Sequence, residues 1–368
     1  MNLKKFVGNI HFWFGMITGP IVFVLALTGA IYAFQEEIQD ATQPYRFVQK
    51  QNKEFLPPSV LISQANKANP NKHLHALMYH EKSRAVKAIY YSFNEYYDFV
   101  YINPYTGKVL KVHSVQNSFF GFILDGHFYL WLPAWLGQPI VASATLLFFL
   151  LLVSGLYLWW PRNKNNKRQK FSIKWKASWR RKNYDVHSVL GFYVLIFALI
   201  FAITGLVWGF EWFRNSYYFV ASAGEQYENY SEPKSHQGDS LSRTEILDNT
   251  FYSLSKSQPE SGWIELHIPE SDSVPIAVNV NPDATTYWKK DYRYFDQKSG
   301  KELTVSHQWG RFKNATSSEK LMRMNYDIHV GGIAGLPGKI FACLMSLVIA
   351  SLPITGFMIW YGRKYKKR

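Results

Sequence analysis

Cysteine is almost missing from this chain of 368 residues: the one present, Cys343, falls in an apolar run. A disulfide framework is thereby excluded, and a lone thiol in such a setting reads as a small apolar side chain. No glycine-rich loop of the kind that cradles nucleotide phosphates occurs either. Charge is absent from four long stretches, with no Asp, Glu, Lys or Arg in Phe6–Gln35, Gly126–Pro161, Val186–Phe210 or Ile340–Gly362. Each exceeds the roughly 20 residues that a helix needs to cross about 30 Å of hydrocarbon. Four transmembrane helices follow. The first stretch is longer than the apolar centre of a signal peptide (about 7–15 residues) and lacks an A-x-A cleavage pattern, so it is expected to stay as an anchor.

What is present is a strong basic excess, formal net charge +15, in a chain 48% hydrophobic and 17% aromatic. Its placement argues against a nucleic-acid binder. Lys4 and Lys5, ten Lys/Arg in 162–182 and five in 363–368 have no acidic residue among them, while the remaining Lys and Arg are nearly balanced by the 26 Asp and Glu. By the positive-inside rule both termini and the 162–182 loop are expected on the cytoplasmic side, where a basic loop also meets anionic membrane lipid. The expected organisation is transmembrane helix 1 (1–35), an outer domain (36–125), an interfacial helix with transmembrane helix 2 (126–161), a basic cytoplasmic loop (162–185), transmembrane helix 3 (186–211), a second outer domain (212–327), an interfacial helix with transmembrane helix 4 (328–362) and a cytoplasmic tail (363–368).

The halves resemble each other. His11, Gly15, Ala26, Thr28 and Gly29 match His187, Gly191, Ala202, Thr204 and Gly205 in the pattern H-x3-G-x10-A-x-T-G. "SGLYLWWPR" (154–162) matches "TGFMIWYGR" (355–363), and His127 precedes its Ser-Gly by 27 residues where His329 precedes its Thr-Gly by 26. "INPYTGKVL" (102–110) echoes "FDQKSGKEL" (295–303) as strand, turn at Gly107 or Gly300, and strand. Two parallel copies related by an axis along the membrane normal make His11 the partner of His187, and His127 the partner of His329. The first pair is expected near the cytoplasmic ends of helices 1 and 3, and the second at the outer face. Pro133, Gly137 and Pro139, like Pro337 and Gly338, are expected to separate a short interfacial helix from each following span.

A histidine at a membrane boundary needs a hydrogen-bond partner, water or a metal, because an unsatisfied polar group in hydrocarbon costs several kcal/mol. A single one is ordinarily satisfied by a carbonyl or water. Two symmetric pairs point to ligation. Zinc asks for three or four N, S or O ligands, and each pair offers two imidazoles without a nearby Cys. Haem iron needs only axial ligands, so two imidazoles complete it and favour electron transfer over oxygen chemistry. Gly15, Gly19 and Gly191, and Gly126, Gly331, Gly332 and Gly335, would let a flat macrocycle approach. Trp159, Trp160, Trp360 and Tyr361 could flank it, with Arg162 or Arg363 on its carboxylates, although aromatic belts and flanking Arg are ordinary membrane anchors. The Ser/Thr-Gly pairs are expected to serve close helix packing.

These segments, with "IHFWFGMITGPIVFVLALTGAIYAFQEEI", "GHFYLWLP", "VHSVLGFY" and "IHVGGIAGLPGK", resemble the PepSY-associated transmembrane family over nearly the whole chain, in particular its ferric-siderophore reductases of the bacterial inner membrane. The resemblance implies a four-helix transmembrane bundle from a duplicated helix–PepSY–helix unit, with two α+β PepSY-like periplasmic domains. It implies b-type haem, two groups by count of the pairs, on His11, His127, His187 and His329, passing electrons to the Fe(III) of a periplasmic ferric siderophore. Without a nucleotide-binding loop, the donor is expected to be a quinol or a separate cytoplasmic reductase.

Other features carry less. His73 and His75, with His80 nearby, could form a metal site but read as polar positions of a surface strand. "NEYYDF" (94–99), Trp263, Trp288 and Trp309 could stack on an organic chelate, and sheet packing explains them equally well. Two other classes compete: a non-enzymatic PepSY-type periplasmic binding module or accessory of siderophore uptake, and a transporter. The transporter lacks any acidic residue in its four spans for a proton relay. Helix rise alone allows the two histidine layers to stand about 30 Å or more apart.

Overall fold

A computed structural model describes residues 2–93, 95–161, 170–235 and 243–365. Among the described residues four helices are long and apolar enough to cross a membrane: α1 (Leu3–Tyr32), α5 (Ala134–Trp159), α6 (Trp179–Gly209) and α10 (Gly335–Tyr365). Helix satisfies every backbone N–H and C=O within the segment, which is what an apolar solvent demands. The chain divides into two compact units, one of residues 1–35, 122–217 and 325–368 and one of residues 36–121 and 218–324. Residues 162–169 of the expected basic loop (162–185) and 366–368 of the tail lie outside the described residues, and α6 begins within that loop, at Trp179.

In the first unit each long helix packs on two neighbours, in the cyclic order α1, α5, α6, α10. Val22, Leu152, Val194, Ala198, Ala202 and Ile349 form its buried centre. Gly19 lets α1 approach α10, since a Cβ there would stand 3.3 Å from the Pro353 Cβ. The short helix α4 (Phe119–Tyr129) precedes α5, and α9 (Ser317–His329) precedes α10. Of the residues expected to break the helices, Pro133 does so as the N-cap of α5, while Pro139, Pro337 and the two glycines lie inside the following helices. Leu130 and Trp131 take left-handed backbone before Pro133 at the α5 N-cap, and Gly331 does so before α10. Gly137 and Gly338 are inside the following helices, packed on the carbonyls of Tyr129 and Gly331.

The second unit holds one continuous antiparallel sheet of eight strands, ordered β4-β3-β2-β1-β5-β6-β7-β8. The segment after α2 (Gln35–Thr42) supplies α3 (Pro58–Ala68), β1 (Leu74–His80), β2 (Val86–Ser92), β3 (Tyr96–Ile102) and β4 (Val109–Ser114). The segment after α7 (Glu211–Ala221) supplies α8 (Arg243–Ser257), β5 (Trp263–His267), β6 (Ile276–Asn281), β7 (Asp291–Phe295) and β8 (Glu302–Leu303). Each is a helix followed by a four-strand meander. They join where β1 pairs β5, from Ala76↔His267 to His80↔Trp263. Alternation places Leu77, Tyr79, Val86, Ala88, Ile264, Leu266 and Val278 on one face, buried against Leu61, Ile246, Leu247 and Phe251 of α3 and α8. The turns fall as the sequence suggests, with Gly107 at φ 71° and Gly300 at φ 67°.

Candidate functional site

The first histidine pair is carried by α1 and α6, which lie diagonally across the bundle. The ring centroids of His11 and His187 are 6.5 Å apart, with planes crossed at 83°. His127, in the last turn of α4, and His329, in the last turn of α9, have centroids 6.2 Å apart and planes crossed at 68°. A metal–imidazole bond is about 2.0–2.1 Å and the ring centre lies about 1.1 Å behind the nitrogen, so two rings in line across one metal have centroids about 6.3 Å apart. Both pairs stand at that spacing.

The Ser/Thr-Gly dipeptides decide how the rings are held. His11 Nδ1 lies 2.9 Å from Ser154 Oγ, His187 Nδ1 2.9 Å from Thr355 Oγ1, His127 Nδ1 3.1 Å from Thr28 Oγ1, and His329 Nδ1 2.8 Å from Thr204 Oγ1. Each hydroxyl donates its own hydrogen to a carbonyl one turn back in its helix: Ser154 to Leu151, Thr355 to Ser351 and Leu352, Thr28 to Val24, Thr204 to Ile200. A hydroxyl with its one hydrogen spent accepts, so each histidine donates from Nδ1 and keeps the Nε2 lone pair. This is the tautomer of a metal-ligating imidazole oriented through its other nitrogen. The adjacent glycine makes room: a Cβ at Gly155, Gly356, Gly29 or Gly205 would stand 3.2, 3.3, 3.0 or 3.7 Å from the Cε1 of His11, His187, His127 or His329. The dipeptides thus position imidazoles, a role beyond the close packing expected of them, and the one sequence signal for it is that they number four, as do the repeated histidines.

A cavity of about 580 Å³ opens at the first pair, lined by both histidines, by Gly8, Gly15, Gly19, Gly155, Gly191 and Gly356, by Trp159 and Trp360, and by Lys4, Lys170 and Arg363. Of the aromatic residues expected there, Trp159 stacks on Phe192 at 3.7 Å, while Trp160 is 63% exposed and, like Tyr361, is not in the lining. Arg162 lies outside the described residues. Near the second pair the glycines shape turns. Gly126 lies under the Trp131 indole, Gly331 packs on Gly338, and Gly335 carries positive φ. Trp208 and Phe201 lie edge-on to His329, at 5.3 and 6.0 Å. Thr28 follows His11 by seventeen residues of one helix, as Thr204 follows His187. The layers are therefore about 26 Å apart along the helices, below the separation of about 30 Å or more expected from the sequence.

Among the described residues no three His, Cys, Asp or Glu side chains cluster in metal-ligating geometry. A bare ion that takes three or four protein ligands lacks a donor set at either pair, whereas a haem, which brings most of its own donors, would need only the two imidazoles that each pair offers. The extramembrane candidates separate. His75 meets His267 of the other half, Nε2 to Nδ1 at 3.3 Å, while His73 faces Glu270 at 3.7 Å and His80 is half-buried at the far end of β1. Trp263 is buried, Trp288 packs on Phe312, and Trp309 on Tyr292. In 94–99, Asp98 is buried with Asn69 and Lys72, Tyr97 and Phe99 pack edge-on, and Asn94 lies outside the described residues.

A family model described as the PepSY-associated TM region matches residues 9–363. No curated protein matches the chain.

Proposed function

We propose a transmembrane electron path for this chain, which belongs to the PepSY-associated transmembrane family. The observation that carries the reading is two pairs of imidazoles with centroids 6.5 and 6.2 Å apart, each ring held through Nδ1 by a hydroxyl so that its Nε2 is left as the ligating nitrogen. Two haem b groups, on His11 with His187 and on His127 with His329, match these donors. Haem supplies a one-electron Fe(III)/Fe(II) couple.

The protein's residues do the rest. The hydroxyls of Ser154, Thr355, Thr28 and Thr204 fix ring orientation, so the ligands move little when the charge at the centre changes. Apolar side chains such as Val22, Leu152 and Ile349 keep water from the interior between the layers. Lys4, Lys170 and Arg363 in the lining of the first cavity suit the carboxylates of a macrocycle. With the basic segments on the cytoplasmic side of a bacterial inner membrane, the first pair faces a quinol or cytoplasmic reductase and the second faces the periplasm. The acceptor we favour is a periplasmic ferric siderophore: one electron converts Fe(III), held by hard oxygen donors, to the more weakly held Fe(II).

A reduced-minus-oxidised absorption spectrum of full-length protein from haem-supplied cells tests this. Bis-imidazole bands with two haems per chain are expected, one of them lost in His11→Ala or His187→Ala and the other in His127→Ala or His329→Ala. A colourless protein overturns the reading.

A further inference from the structure

Residues 162–210 contain one acidic side chain, Asp185, at the end of the basic segment. It is 2% exposed and stands on α6 two residues before His187. A carboxylate buried in this way is costly unless its oxygens are taken. Both are. Arg181 Nε lies 2.9 Å from Oδ1, and the backbone N–H of Lys174 donates to Oδ2 at 3.3 Å. The second contact is the informative one, because Lys174 belongs to the segment before α6 and not to the helix.

That segment, 170–178, is tied at two further points. The Lys170 carbonyl accepts from Trp159 Nε1 at 3.2 Å, and the Phe171 carbonyl from the Tyr193 hydroxyl at 3.4 Å. The Phe171 ring stands edge-on to Trp159 and to Phe192, at 5.0 and 5.3 Å, while those two stack on each other. Residue 174 thus meets α6 at 185, and residue 171 meets it at 192 and 193, so the segment runs back along the helix against its direction. Its far end reaches the first pair. Lys170, Trp159 and Phe192 line the 580 Å³ cavity together with His11 and His187. The buried Trp159 indole is a wall of that cavity, held on one face by Phe192 and on its N–H by the segment.

We propose that residues 170–178 form a strap closing the cavity of the first centre and that Asp185 is its latch, so that the latch sets how fast the group held there is lost. This rests on the reading of the first pair as haem ligands. A group held by two ligands and the cavity walls, with no covalent attachment, leaves only when a wall opens. Opening this wall requires Lys174 N–H and Trp159 Nε1–H to give up their acceptors and the Phe171 ring to leave the stack. While the latch is made, breaking either of the other ties is a local event that reverses before the wall moves. The second pair has no part in the strap and serves as an internal reference.

Haem loss from full-length protein into an excess of apomyoglobin is the first readout, and hydrogen–deuterium exchange of peptides covering 170–178 is the second. Loss is assigned to a centre by repeating it in His127→Ala, which retains the first haem alone, and in His11→Ala, which retains the second alone. Asp185→Asn keeps the size of the side chain and removes the charge that both donors meet. It is expected to speed loss from the first centre about tenfold, the effect of one hydrogen bond to a charged group, with faster exchange in 170–178 and the second centre unchanged. Should that variant fail to accumulate, Trp159→Phe, which keeps the ring on Phe192 and deletes the N–H, is expected to act in the same direction. Lys174→Ala leaves both readouts unchanged, since its tie to Asp185 is made by the backbone. Loss from the first centre that is no faster in Asp185→Asn, or equally faster from both centres, overturns the inference while the two-haem reading stands. Faster loss without faster exchange in 170–178 also overturns it, by placing the effect at His187 instead of the strap. A protein without haem overturns both.

Discussion

Thr28 Oγ1 lies 3.1 Å from His127 Nδ1 while its own hydrogen is committed, at 2.7 Å, to the Val24 carbonyl one turn back. A hydroxyl used this way can only receive, so a threonine of a membrane helix sets the tautomer of a histidine 99 residues away. Replacing Thr28 with Val keeps shape and removes the acceptor. Losing the group that orients a ligating histidine typically costs about 10–100-fold in affinity for the metal group. On the proposed haem reading, Thr28→Val and Thr204→Val are expected to weaken haem binding at the second pair by that order, and Ser154→Ala and Thr355→Val at the first. Haem per protein after dilution into an excess of apomyoglobin measures it. Equal loss at both pairs from one substitution would contradict the pairing.

The glycines beside these hydroxyls predict a graded series. A Cβ would meet the imidazole Cε1 at 3.0 Å from Gly29, 3.2 Å from Gly155, 3.3 Å from Gly356 and 3.7 Å from Gly205. The last is ordinary contact, and the first demands that the ring give way. Gly29→Ala is thus expected to damage its centre most and Gly205→Ala least, with the other two between, read as the fraction of low-spin bis-imidazole signal retained. An inverted order would mean that the rings relax freely, which a packed interior does not allow.

Much of this was legible in the chain because membrane chemistry writes large. A span without charge has one structural solution, and the recurrence of His11, Gly15, Thr28 and Gly29 at His187, Gly191, Thr204 and Gly205 pairs His11 with His187 and His127 with His329, which the fold places 6.5 and 6.2 Å apart. The Ser/Thr-Gly dipeptides were visible too, but their spacing from the histidines is 99 to 168 residues. Only the fold brings them together. The pairing of β1 with β5 was hidden for a similar reason: strand patterning tells which face is buried, not which edge meets which. His75 looked like a companion of His73 and His80 because they are neighbours in sequence, whereas its partner, His267, comes from the other half.

Asp40 anchors the start of the second unit. It pairs with Arg46 Nε at 2.7 Å and with both terminal nitrogens of Arg84, at 3.0 and 2.5 Å. Burial by itself would raise the Asp40 carboxyl, but the two guanidinium groups hold it below its ordinary value. Arg46 is only 4% exposed. Removing the carboxylate leaves a buried cation without its countercharge, a loss of about 3–5 kcal/mol where one member of a buried pair is taken away. Asp40→Ala should therefore lower the melting temperature of the full chain far more than Glu81→Ala, whose contact with Arg84 is 3.4 Å and exposed. Similar effects from both would show that Arg46 reaches water.

Acid should weaken the seam between the two halves of the sheet in two steps. Asn279 Nδ2 donates to the Glu265 carboxylate at 3.0 Å and also lies 3.0 Å from His267 Nε2, while His267 Nδ1 lies 3.3 Å from His75 Nε2. His75 is held below its ordinary value, first by burial and then by His267 and His73, against the pull of Glu265 and Glu270. The folded seam thus prefers a neutral His75. The unfolded chain binds the proton more readily, so the contribution of His75 is complete above pH about 6.5 and is lost as the pH falls below it. For Glu265 burial pushes up, but His267, Asn279 and Lys290 bring it down to about 2. Its contribution is present above the ordinary carboxylate value and disappears as the pH falls towards 2. Melting temperature between pH 8 and pH 3 should show the first decline beginning near 6.5 and a second below about 4.3. His75→Gln should remove the first and keep the second, and Glu265→Gln the reverse. A first step that survives His75→Gln would place the acid-sensitive group elsewhere, since a glutamine takes up no proton.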